Sequence, residues 1–147
     1  MSRMSDTQQW LVDNAYLLAD QFGDDQVVVD NENWQYILIR SIYLPSGWYP
    51  SRSKLLIYLP NPANILTTAP ENFYLDPGLR TYAGHTPPHY FEGDGYNDLA
   101  RQGFARFSFH IEEGWQPCIP AQCGTTLVEA LMWLDQGLAD AIREVSK

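Results

Sequence analysis

The sequence predicts an α+β fold: a small antiparallel sheet with one helix before it and one after it. Three observations carry that expectation. Apolar residues recur at helical spacing near both ends, from Leu11 to Phe22 and from Leu127 to Val145. Between them lie short runs rich in β-branched and aromatic residues, and those runs are separated by Pro, Gly and Asp where a chain reverses. With 147 residues, 45% of them hydrophobic, the chain is long enough for one core and too short for two, so residues 1–147 are expected to form a single domain.

Each element follows from its own residues. Leu11, Ala15, Leu18 and Phe22 define one face of a first helix, which Ser5 or Asp6 can cap and Gly23 ends. The run Val27 to Val29 is a short strand, DNEN is a turn, and WQYILIRSIYL reads as a long, well-buried strand. Pro45, Gly47 and Pro50 mark a hairpin-type connection into the strand Lys54 to Leu59, so these two strands should be antiparallel neighbours. From Pro60 to Asp98 prolines and glycines are frequent, and the expectation is ordered irregular chain with at most a short strand at Phe73 to Leu75. In FARFSFHIEEGWQP, residues Ala105, Phe107, Phe109 and Ile111 alternate with Arg106, Ser108, His110 and Glu112, which predicts a half-buried central strand from Ala105 to Glu112. The second helix begins after Thr125 or Thr126, either of which can cap it, and carries the stripe Leu127, Leu131, Leu134, Leu138, Ile142 and Val145.

Charge and composition exclude several function classes. A net charge of −9 without a cluster of Lys and Arg is unsuited to binding phosphate backbones, so no nucleic-acid partner is expected. Seven of the eighteen acids precede Asn33, which suits either a basic protein partner or a solvated acidic face. No apolar run is long enough to span a bilayer, and the first ten residues lack the layout of a secretory signal; a soluble, cytoplasmic protein without a membrane partner is expected. Cys118 and Cys123 flank Pro120 and are expected to be free thiols in a reducing compartment.

The candidate chemistry sits on the alternating stretch. Alternate residues of a strand rise about 6.6 Å apart on one side, so Ser108, His110 and Glu112 would stand in a row as nucleophile, base and orienting acid. The same row also reads as the solvated face of an ordinary strand. His85 and His89 have a spacing found among zinc ligands, and Cys118 with Cys123 would complete four. Prolines inside both pairs instead make them loop punctuation, so no metal and no cofactor is expected. Tyr74, Tyr90, Phe91 and Tyr96 fit either a recognition surface or anchors for the long irregular segment, whereas Phe73 and Trp115 read as core.

Taken in order, YLPSGWYP, KLLIYLPNPANILTTAPENFYLDPGL, Ser108-x-His110 and Trp115-x-Pro117 before a helix resemble the ubiquitin-conjugating enzyme fold. The closer resemblance is to its prokaryotic branch, which occurs beside ubiquitin-like proteins, activating enzymes and JAB-type peptidases. It covers about Trp34 to Leu138. Pro60, Pro62, Pro70 and Phe73 match the family's Pro-rich stretch, and Trp115 with Pro117 match its later marker. Where the family usually places its cysteine stand Phe107, Ser108 and Phe109; the His-Pro-Asn element is missing, its nearest substitutes being His85, His89 and Asn97. The resemblance implies a conjugating-enzyme-like fold and two alternative functions. One is an atypical conjugating enzyme that receives a ubiquitin-like protein from its activating enzyme, with Ser108 in the cysteine's place and His110 as base. The other is a non-catalytic module that binds either partner.

Overall fold

The computed structural model describes residues 5–93, 95 and 97–145. Helix α1 spans Asp6–Phe22. Ser5 caps it by a reciprocal exchange: its hydroxyl accepts from the Gln8 amide and the Gln8 side chain accepts from the Ser5 amide, both at 3.1 Å. Gly23, at φ 107°, ends the helix in a conformation that a side chain would strain. Eight strands follow: β1 Val27–Val29, β2 Tyr36–Tyr43, β3 Trp48–Tyr49, β4 Arg52–Tyr58, β5 Asn72–Leu75, β6 Arg80–Thr81, β7 Tyr90–Phe91 and β8 Ala105–Phe107. Helix α2, Leu127–Val145, comes last.

Six strands form one sheet in the order β1-β2-β4-β5-β8-β7, every neighbouring pair antiparallel; β3 and β6 form a separate ribbon. Alternation selects one face for the core: Ile37 and Ile39, Leu55 and Ile57, Phe73 and Leu75, Ala105 and Phe107 are all buried. They join Trp10, Leu11 and Leu18 of α1 and Leu127, Ala130, Leu134, Leu138 and Ala141 of α2 in one cluster. Trp48 locks α2 onto this core, its buried indole N–H donating to the Leu138 carbonyl at 2.9 Å. Gly47 beside it has no room for a side chain, because a Cβ there would lie 2.4 Å from Ile142.

The two flanking helices and the antiparallel sheet are as expected, and several details differ. Strand β2 is half-buried, with Tyr36 and Arg40 exposed. The segment after Pro60 contributes three strands, and β5 is paired on both sides. Strand β8 stops at Phe107 and lies next to the sheet edge. Its ladder ends because His89, at φ 63°, turns the partner strand away after its carbonyl accepts the Ser108 amide at 2.8 Å. On α2, Leu131 is half-buried and Ala130 and Ala141 take the inward places. Cys118 and Cys123 are not free: they are joined as a disulfide, the turn Ala121–Cys123 bringing their Cα atoms to 5.7 Å. Among the described residues no helix is long and apolar enough to cross a membrane.

Candidate functional site

Register builds the surroundings of Ser108. The β5–β8 ladder ends at the pair Phe73↔Phe107, and Ser108 is the first residue beyond it. Because Phe73 points into the core, Asn72 lies on the reverse face of β5, where Tyr58 pairs with it. Both Asn72 and Ser108 are half-buried. Neither side chain is hydrogen-bonded within the described residues.

His110 follows two residues after Ser108, beyond the end of the strand. Its side chain is exposed, and Nδ1 lies 3.6 Å from Oε2 of Glu71. Glu71 immediately precedes β5. Both side chains are exposed, so the contact is weak in energetic terms. No hydrogen bond links Ser108 Oγ to His110 among the described residues. Glu112, expected to orient the imidazole, is exposed and lies with Glu113 along a shallow groove of about 250 Å³ against Trp133 and Asp140 of α2. His110 lines the rim of this groove; Ser108 does not.

The remaining candidates are dispersed. His89 Nε2 meets the Glu144 carboxylate at 2.9 and 3.1 Å, the His85 amide donates to the Thr81 hydroxyl at 3.1 Å, and the two cysteines bind each other. Among the described residues no three metal-ligating side chains converge. Tyr90 is a core residue: its hydroxyl donates to the Asp76 carbonyl and accepts the Leu79 amide at 3.2 Å, and burial pushes its pKa up to about 12. Tyr74 is buried against Tyr58 and Phe104, and that burial raises its pKa. Phe91 is half-buried, while Tyr96 lies outside the described residues. Phe73 is in the core; Trp115 is half-buried, edge-on to Trp10 at 5.7 Å, with its N–H donating to Ile65 O at 2.8 Å. Sequence reasoning missed Glu71, whose approach to His110 is a tertiary contact without a local signal.

Residues 11–135 match the family described as prokaryotic E2 family E. The chain belongs to that family. Nothing among the curated proteins or the solved structures matches it. The chain has the α+β, conjugating-enzyme-like architecture of two helices flanking a small antiparallel sheet, and its family places it in ubiquitin-like protein conjugation, a process that engages ubiquitin-like proteins and activating enzymes. Within that setting the segment ahead of Trp115 offers a hydroxyl and an imidazole, Ser108 and His110, rather than a thiol.

Proposed function

We propose that residues 1–147 act as one conjugating domain that accepts the activated C-terminus of a ubiquitin-like protein as an oxyester on Ser108. The observation that carries this reading is the Glu71 carboxylate 3.6 Å from Nδ1 of His110, two residues along the chain from Ser108. In the transfer, Ser108 Oγ attacks the carbonyl carbon of the thioester held by the activating enzyme, and His110 takes the hydroxyl proton. The Oγ–C bond forms, the C–S bond breaks, and the leaving thiolate recovers the proton from the imidazolium. A JAB-type peptidase of the same pathway would act on the modifier before or after this step. ATP-dependent activation makes the cytoplasm the natural setting.

The competing reading is a non-catalytic module that binds the ubiquitin-like protein or its activating enzyme. It draws support from the missing hydrogen bond between Ser108 Oγ and His110 among the described residues, and from the half-burial of Ser108. One experiment separates the two: incubation with the cognate ubiquitin-like protein, activating enzyme and ATP. An adduct that survives thiol reductant and is cleaved by hydroxylamine is expected. Ser108→Ala should abolish it without loss of folding, and His110→Ala should slow it by about 10²-fold. Binding without any adduct, in the presence of a demonstrably active activating enzyme, would establish the module instead.

A further inference from the structure

We infer that Cys118 and Cys123 form a redox-active site, a reversible disulfide that a dithiol opens by attack on Cys123 while the fold stays intact. The backbone around the ring is held without the sulfurs, the two cysteines differ in access, and the ring lies where the first and last helices meet.

The chain doubles back between Gln116 and Thr125. The Thr125 amide donates to the Gln116 carbonyl at 3.0 Å, the Gln116 amide donates to the Thr125 hydroxyl at 2.9 Å, and that hydroxyl donates to the Gly114 carbonyl at 2.7 Å. Inside the ring the Cys123 amide donates to Pro120 O at 3.0 Å and the Gly124 amide to Ala121 O at 3.2 Å. Ala121, buried between the cysteines, donates its amide to the Asp13 carboxylate at 3.3 Å. None of these bonds involves a sulfur, so reduction leaves the two Cα atoms near their present separation of 5.7 Å and the thiols placed to reclose the ring. A disulfide restrains a chain most when it closes a long loop, and these cysteines are only five positions apart.

Access decides which sulfur reacts. Cys123 is exposed and Cys118 is half-buried. Gly124 closes over Cys118 so tightly that a Cβ there would lie 3.0 Å from the Cys118 amide nitrogen and 3.1 Å from its Sγ. An incoming thiolate therefore reaches Cys123 Sγ. A bond forms between the reductant's sulfur and that of Cys123, the Cys118–Cys123 bond breaks, and Cys118 leaves as a thiolate. Once protonated, Cys118 has an acceptor in the Pro120 carbonyl, 3.8 Å from its Sγ. The second thiol of the reductant then displaces Cys123, so two electrons and two protons pass from the dithiol to the pair and the reductant departs as its own disulfide. The ring lies between Trp115, edge-on to Trp10 of α1 at 5.7 Å, and Leu127, whose amide donates to Asn14 of α1 as α2 begins. Opening removes one of its two closures, and the redox state thereby sets how firmly this segment joins α1 to α2.

The site is tested on the parent protein, treated with millimolar dithiothreitol without denaturant and then with oxidised glutathione, the thiols being counted by alkylation and mass. Complete reduction with unchanged circular dichroism is expected, then reclosure under oxidised glutathione, with faster amide exchange in the reduced form confined to residues 116–125. Cys118→Ser, which leaves Cys123 alone, should form a mixed disulfide with glutathione about 10-fold faster than Cys123→Ser. A bond that is reduced only when the protein unfolds, or a fold lost on reduction, would make the disulfide a structural staple and overturn the inference. Equal rates in the two variants would overturn attack at Cys123.

Discussion

Tyr90 is the residue whose environment has the plainest thermodynamic consequence. Its ring is 3% exposed, edge-on to Trp48, and burial of its phenol disfavours the phenolate, which lifts the pKa from an ordinary value near 10 to about 12. A raised pKa means that the folded state holds the proton more tightly than the unfolded chain. Stability from this source is therefore complete below pH 10 and is lost as pH rises towards 12, by about 1.4 kcal/mol at pH 11. Tyr90→Phe should lower stability at neutral pH by about 1–3 kcal/mol, because the Leu79 amide and Asp76 carbonyl lose their partner. It should also flatten the alkaline decline relative to the parent. Urea unfolding at pH 8 and pH 11 measures both effects, and parallel declines in the two proteins would show that other groups dominate.

At the scale of elements, the informative junction is where the chain after β8 crosses α2. Gly137 lies in the middle of a helix, where Ala would ordinarily be better by about 1 kcal/mol. Here a Cβ would lie 2.7 and 2.8 Å from the Phe109 ring, which is itself packed edge-on against Phe73. Overpacking of that kind costs about 1–3 kcal/mol, so displacement of the ring should outweigh the helical gain. Gly137→Ala is expected to lower the melting temperature and to slow adduct formation, since Phe109 separates Ser108 from His110; Phe109→Leu in the same chain should restore part of the stability. A higher melting temperature in the single variant would mean that the ring moves freely. This junction also marks how far the sequence could be read. Both helices, the Ser5 cap and the β2–β4 hairpin were legible because periodicity and caps are local signals. The alternation from Ala105 to Glu112 implied a strand of eight residues, yet alternation reports only which side is buried: Phe109 and Ile111 still pack against the core after the ladder has ended. Strand β5 was expected to within one residue, whereas β6 and β7 were missed because strands of two residues exist only through their partners, and Glu71 carried no local signal at all.

For the whole molecule, the question is how a helix at one end of the sequence is held to a helix at the other. Asn14 on α1 is fully buried. Its carboxamide donates to the Trp10 carbonyl at 2.8 Å and accepts the Leu127 amide at 2.7 Å, so one side chain satisfies an open amide at the start of a helix 113 residues away. The neighbouring Asp13 accepts the Ala121 amide at 3.3 Å, tying the disulfide-closed turn to the same helix face. Removing the carboxamide leaves a buried N–H without a partner, a penalty of about 1–3 kcal/mol that packing cannot offset. Asn14→Ala should therefore lower the urea midpoint with an unchanged slope, the sign of lost stability without partial unfolding. Asn14→Leu fills the volume but still strands the Leu127 amide, so it should recover less than a volume argument predicts. If Asn14→Leu matches the parent, the helices are held by apolar contact alone and the polar bridge is incidental. If both variants lose stability together, Asn14 is the bond that makes the first and last helices one structural unit beneath the sheet.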